Sequence, residues 1–313
     1  MVKRWKTCSK TLMYWIHFLS IRLNPKIEMV RCFHKVFSRW PNIEKPKNLI
    51  EKNYWLQLYS DTTMWSMCAD KYRVREYVQS KGLSKYLNTI YNVWVSPENI
   101  DFSELPQEYV LKTNNASGQV IIVRDNDNLN IEDVKAQLSW WLRHPFGVSG
   151  GELHYLKIKP CIIAEKLIPS QEGSISLIDY KIWCFSGEPF CILVVFERTM
   201  NTVSLALYDL NWTPMPQYLK NTRHATVRSD VVIPKPNCLD EMLFVAKVLS
   251  SGFPEVRVDL YNVNDRPIFG EMTFSTGFGY FTEDFYSILG DKVVLPPSKC
   301  FYNGFRYEFL KKS

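Results

Sequence analysis

The chain has no long apolar run, no paired cysteines and few histidines, and each shortage removes a class of protein. No stretch of about 18 apolar residues occurs, so no segment reads as a membrane-spanning helix. The apolar stretch Leu12 to Leu23 is interrupted by His17, Ser20 and Arg22 and lacks a small-residue cleavage site after it, so it does not read as a signal peptide. Eight cysteines are scattered without a C-x-x-C pair or metal-ligand spacing. That pattern excludes a zinc site and points to a reduced, cytoplasmic protein. Five histidines do not cluster, and no Ser/His/Asp pattern or G-x-S-x-G elbow is present. Neither a G-x-G-x-x-G fingerprint nor a Walker lysine occurs. Internal repeats and low-complexity tracts are absent as well.

What remains is ordinary globular composition, 46% hydrophobic and 22% charged over 313 residues, enough chain for about two domains. The net charge of +6 is unevenly placed. Residues 1–40 carry nine Lys/Arg and the single acid Glu28, whereas the rest of the chain is slightly acidic. Trp5, Tyr14, Trp15, Phe18, Phe33, Phe37 and Trp40 lie within this basic segment. Basic and aromatic residues together suit an anionic membrane surface; the plainer alternative is a solvated helical face with its core residues. Nucleic acid is not expected as a partner, because the basic excess is short and the body is acidic.

Residues 1–100 read as mainly helical. Asp70 to Lys81 places Tyr72, Val74, Tyr77 and Val78 at three-to-four spacing, predicting a helix. Beyond residue 106 the chain turns β-rich, with Tyr109–Lys112 and Val120–Val123 flanking a polar turn. A helix over 131–143 follows, then a Gly-rich loop (Gly147, Gly150, Gly151) flanked by His144 and His154, both read as surface residues. Strands are expected over 159–165, 177–185, 190–197 and 203–209, and a helix over 239–250. Antiparallel strands interrupted by one or two helices make an α+β pattern.

Chemistry concentrates in two late strands, Val256–Tyr261 and Ile268–Thr273. Side chains alternate between strand faces, so Arg257, Asp259 and Tyr261 share one face, and Phe269, Glu271 and Thr273 point together. A hairpin with an odd-length turn centred on Asp265 sets Asp259 opposite Glu271, with Cβ atoms roughly 4.5–5.5 Å apart. Two bare carboxylates at that distance repel, and a cation between them resolves the repulsion. Arg257 beside them suits a phosphate. Earlier in the chain, Lys112 ends a strand before a turn bearing Asn114, Asn115, Ser117 and Gly118, which can aim backbone N–H groups at phosphates or be an ordinary hairpin turn. Glu165 and Leu167 close an apolar strand and suit a purine edge, or simply reach water. Asp179 and Lys181 interrupt another apolar strand and need a partner or ligand. Arg198 ends the next strand, placed to clamp a phosphate or carboxylate.

Taken in order, these segments resemble the ATP-grasp superfamily, in its TupA-like branch of bacterial polysaccharide-biosynthesis proteins. Asp70–Val78, Tyr109–Asn114, Ile162–Leu167, Asp179–Lys181, Arg257–Tyr261 and Phe269–Phe274 carry the resemblance, which spans about residues 40–292. It implies a nucleotide held between two α+β subdomains, a small one over 101–168 and a large one over 169–313, after a helical region over 1–100. By the same resemblance Lys71, Lys112, Asn114, Ser117, Gly118, Glu165 and Leu167 bind ATP, with Lys112 on the α/β-phosphates. Asp259, Glu271 and Thr273 hold Mg²⁺, and Arg257, Lys181 and Arg198 are catalytic. The implied reaction is ATP-dependent ligation of a carboxylate, on a uronic acid or amino acid, to an amine in surface-polysaccharide assembly (capsule, O-antigen or exopolysaccharide). A sugar kinase using the same site, and a degenerate glycan-binding scaffold, stand as alternatives. The location this implies is cytoplasmic, with peripheral contact to the inner face of the membrane through residues 1–40.

Overall fold

Five helices lead the chain: α1 (Val2–Leu23), α2 (Lys26–Phe37), α3 (Leu49–Tyr59), α4 (Thr63–Ala69) and α5 (Val74–Ser80). The computed structural model describes residues 2–170 and 176–297, with side chains from residue 11 onward. α3 starts at a capping box: the Asn48 side chain accepts from the Glu51 N–H at 2.9 Å while the Glu51 carboxylate accepts from the Asn48 N–H at 3.3 Å. α2 belongs to the main core, since Met29, Phe33 and Phe37 are buried in it. Ile21 of α1 lies in the same core, with Tyr14 and Phe18 packed against it, so the basic, aromatic segment is part of the structure rather than a detachable arm. The predicted helix over 70–81 is shorter. The Asp70 carboxylate accepts from the N–H groups of Tyr72 and Arg73 at 2.9 and 3.1 Å, holding a turn that delays the helix to Val74.

A four-stranded antiparallel sheet follows, built from β1 (Ile90–Trp94), β2 (Tyr109–Thr113), β3 (Val120–Val123) and β4 (Ile162–Lys166) in the order β1-β4-β2-β3. Strand alternation divides β2: Tyr109 and Leu111 are buried, whereas Val110 and Lys112 face the other way. The buried side packs with Ile162 and Ala164 against Val134 and Leu138 of α6 (Ile131–Arg143).

The second sheet has six strands: β5 (Asp179–Phe185), β6 (Glu188–Phe196), β7 (Val203–Tyr208), β8 (Ala225–Val227), β9 (Glu255–Val263) and β10 (Arg266–Thr273). Their order is β10-β9-β5-β6-β7-β8, antiparallel except for the β7–β8 pair. On one side α7 (Leu239–Ser250) crosses β9, β5 and β6, covering the face that carries Val256, Val258 and Leu260. α8 (Glu283–Lys292) packs on α3 so closely that a Cβ at Gly290 would lie 2.3 Å from the Lys47 carbonyl oxygen. The opposite face of β9, with Arg257, Asp259 and Tyr261, is left for chemistry. His154 is a correction to the sequence reading: it is wholly buried between Trp65, Tyr155 and Phe274, and burial pushes its pKa down to about 3. It is a neutral core residue.

Candidate nucleotide and metal site

The β9–β10 hairpin sets the site's register. Its turn is Asn264-Asp265, both at positive φ (52° and 56°), the two-residue turn whose twist suits antiparallel strands. Alone, that turn would pair Asp259 with Gly270. A bulge between Phe269 and Glu271 adds one residue and brings Glu271 opposite Asp259. A Cβ at Gly270 would meet the Asp259 carbonyl oxygen and a Tyr261 ring carbon, each at 3.0 Å, so the bulge favours glycine. The expected Asp259–Glu271 pairing is present, reached by a bulge rather than an odd-length turn. One face assignment changes: Phe269 pairs with Leu260 and is buried, away from Glu271 and Thr273.

On the other side of β9, Lys181 of β5 lies opposite Asp259. Three adjacent strands thus present a row Lys181–Asp259–Glu271. The expectation of two bare carboxylates is wrong, because protein cations already occupy both. Arg257 donates from Nε to Asp259 Oδ1 at 2.6 Å and from Nη2 to Oδ2 at 2.7 Å, and Lys181 also donates to Oδ2. Lys71 Nζ donates to Glu271 Oε2 at 2.8 Å. The Arg257 guanidinium rests over the Trp183 ring, 5.4 Å from its centroid, and its Nη2 also donates to Thr273 Oγ1 at 3.0 Å. Stacked, bidentate and buried, Arg257 is held in one orientation. Burial would raise the pKa of Glu271, but Lys71, Lys181 and Arg257 outweigh it and hold the carboxyl well below its ordinary range. Arg257 is likewise held above its ordinary value: Asp259 outweighs the desolvation that would lower it.

Three cations facing two carboxylates leave the face net positive, which suits a phosphate chain. Asp259, Glu271 and the Thr273 hydroxyl offer hard oxygen donors on neighbouring strands. Two carboxylates and a hydroxyl are the kind of donor set Mg²⁺ takes, since it binds through one or two carboxylates and draws its remaining ligands from water and substrate phosphates.

The small sheet supplies the other wall. Lys112 and Glu165 form an ion pair across β2 and β4. Leu167 follows directly after β4 and is partly buried. The Asn114 side chain is buried and committed internally, donating to the Lys159 carbonyl at 3.0 Å and accepting from the Cys161 N–H at 2.7 Å. Ser117 and Gly118, at φ 73°, sit exposed at the loop tip. The Lys71 N–H donates to the Asn114 carbonyl at 3.0 Å, so one residue ties the loop to the Glu271 face. Arg198 stands at the far edge, half-exposed, donating to Asp179 Oδ2 at 2.6 Å.

Sequence reasoning missed two groups here. Tyr261 is held well above its ordinary pKa, by burial first and then by Asp179, Glu271, Asp259 and Glu165; carboxylates from both sheets surround it. Its place on the face of Asp259 was the signal. Tyr280, pushed up to about 12 by burial, stands beside Arg257, and no local pattern points to it.

A sheet-borne row of acids and cations, faced by a small antiparallel sheet with a Lys-bearing strand and polar loop, is the arrangement of an ATP-grasp protein. Within that class the chain belongs to the family described as TupA-like ATPgrasp, whose model matches residues 51–294. No curated protein matches the chain. Among solved structures, the D-alanine–D-alanine ligase from Bacillus anthracis is similar at 19% identity, over 85% of this chain and 77% of that one, with a TM-score of 0.46. A structure of that ligase complexed with ATP matches at 14% identity over 83% and 74%, with a TM-score of 0.43. A RimK domain protein of ATP-grasp type from Sphaerobacter thermophilus matches at 13% identity over 73% and 69%, with a TM-score of 0.40.

Proposed function

We propose that the protein is an ATP-dependent carboxylate–amine ligase that forms an amide on a uronic acid or amino acid unit during bacterial surface-polysaccharide biosynthesis. The row Lys181–Asp259–Glu271, with Lys71 and Arg257 upon it, is the observation that carries this reading. Mg²⁺ held at Asp259 and Glu271, with the Thr273 hydroxyl beside them, would supply charge neutralisation to the phosphate chain of ATP. Lys112, released from Glu165, would bind the α/β-phosphates together with backbone N–H groups around Ser117 and Gly118. Asn114 would shape that loop rather than touch the nucleotide with its side chain. Glu165 and Leu167 would frame the adenine. The substrate carboxylate attacks the γ-phosphorus and ADP leaves; the amine then displaces phosphate from the acyl phosphate. Arg257, fixed by Trp183 and Asp259, is oriented to offset charge on the transferring phosphoryl group. Lys181 and Arg198, both near Asp179, would orient the incoming carboxylate.

The N-terminus supports a site of action at an anionic lipid surface, at the inner face of the membrane. α1 packs inward through Tyr14, His17, Phe18 and Ile21, while Leu12, Trp15, Ile16, Leu19 and Leu23 form a single exposed stripe on its other side. The helix sequence carries five Lys/Arg and no acid, the composition of an interfacial helix. Among the described residues no helix is long and apolar enough to cross a membrane.

Incubating the protein with Mg·ATP, candidate uronates and amino acids, and hydroxylamine tests the ligase reading. A hydroxamate with matching ADP release is expected. A stable sugar phosphate would show a kinase instead, and neither product would leave a binding scaffold.

A further inference from the structure

A cavity lies past the end of β10, and nothing above gives it a role. It has a volume of about 510 Å³, within the usual range for small-molecule sites. His17, Arg31 and Lys35 of α1 and α2 form one side, and Tyr54, Glu152 and Ser275 form another. Ser275 lies two residues beyond Thr273, so the loop 275–278 runs from the end of β10 directly into the cavity wall.

The two sides differ in charge. Arg31 donates to Glu28 Oε2 at 2.7 Å and to the Ser149 carbonyl at 2.8 Å, and His17 meets Glu28 Oε1 at 3.0 Å, which fixes both in place. Lys35 has no carboxylate partner among the described residues. With Glu28 offset by Arg31, that side keeps at least one positive charge. Elsewhere on the lining, the Glu152 carboxyl has one hydrogen-bond partner among the described residues, the Ser275 hydroxyl at 3.0 Å. The Tyr54 hydroxyl is buried there without a partner among the described residues. A carboxyl and two hydroxyls suit an ammonium group, and the cationic side suits an acid.

We propose that this cavity seats the amine substrate, and that the amine is a zwitterion, an amino acid or amino-sugar acid. Its ammonium group meets Glu152 and Ser275, and its carboxylate meets Arg31 and Lys35. The assignment rests on the ligase reading, because it uses the cavity's position at the end of the strand bearing Glu271 and Thr273. It is consistent with the state of Glu152, which burial and the Glu271 charge push up to about 7 against the Ser275 hydrogen bond; an arriving ammonium would stabilise its ionised form.

Saturation-transfer NMR on the full chain tests this with glycine as the probe. N-acetylglycine, lacking the ammonium, and glycinamide, lacking the carboxylate, serve as controls. Glycine should bind, with each control weaker by about tenfold, the scale of one charge-assisted hydrogen bond. Glu152→Gln should weaken glycine to the same extent, Lys35→Glu should weaken it on a surface position that leaves folding intact, and Mg·ADP should not displace it. No glycine binding, either control binding equally well, unchanged affinity in both variants, or displacement by Mg·ADP would overturn the assignment. Binding requires no turnover, so glycine recognition by a protein that forms no hydroxamate with any candidate carboxylate would sink the ligase reading alone, and ligation with an amine that ignores Glu152 would sink only this one.

Discussion

Glu255 opens β9 on the same face as Arg257 and Asp259, and it is wholly buried, with no hydrogen-bond partner for either carboxyl oxygen among the described residues. Burial pushes its pKa from 4.5 up to about 8, against the opposing pull of the Arg257 charge. The sign follows from linkage. The folded protein prefers the neutral acid, whereas the unfolded chain releases the proton near pH 4.5. Folding stability therefore falls as pH rises between those two values, by about 1.4 kcal/mol per pH unit, and levels off above pH 8. The total is about 5 kcal/mol as an upper bound, since water entering the site would lessen it. Glu255→Gln keeps the shape and removes the titration. Urea unfolding of both proteins at several pH values should show the variant's advantage growing steadily from about pH 5 to about pH 8 and then holding constant. Other titrating groups, Glu152 among them, are common to both proteins and cancel. A difference that does not change with pH would refute the claim that Glu255 is buried neutral.

Arg257→Ala should lower kcat by about 10²–10³ with little change in KM for ATP, and Arg257→Lys should rescue only in part because an ammonium cannot replace the bidentate fork. The same change should cost about 3 kcal/mol of stability, the low end for breaking a buried pair, because Lys181 stays on Asp259; a melt with unchanged kcat in the folded fraction would make Arg257 purely structural. Lys112→Ala should weaken ATP binding about tenfold, read by calorimetry. Replacing Trp15, Ile16 and Leu19 by Glu should abolish sedimentation with phosphatidylserine vesicles while leaving the thermal melt unchanged; vesicle binding equal to wild type would remove the lipid surface as the partner of α1.

Local patterns were legible where one strand or helix decides the outcome. The helices expected over 131–143 and 239–250 are present with those bounds. Asp259 and Glu271 could be paired because strand alternation leaves few registers for two apolar faces. The bulge at Gly270 could not be read, since it depends on cross-strand contact rather than on sequence period. β1 was hidden in a region read as helical: its residues are only partly buried, and its pairing partner Ile162–Lys166 lies some seventy residues away. The ion pairs that close the site were hidden too. Lys71 reaches Glu271 across 200 positions, and no spacing rule carries that far. Glu152 was equally silent, a single acid beyond a Gly-rich loop until the fold sets it against Ser275.

Whether the Asp259–Glu271 face holds Mg·ATP is the most direct test of the proposed function. Calorimetric titration of Mg·ATP into the wild type and into the Asp259→Asn, Glu271→Gln double variant decides it. Both changes preserve side-chain volume, and circular dichroism confirms that the variant is folded. Saturable binding to the wild type that weakens sharply without Mg²⁺ and is lost in the variant is the expected result. Equal binding by both proteins, or binding indifferent to Mg²⁺, would contradict it.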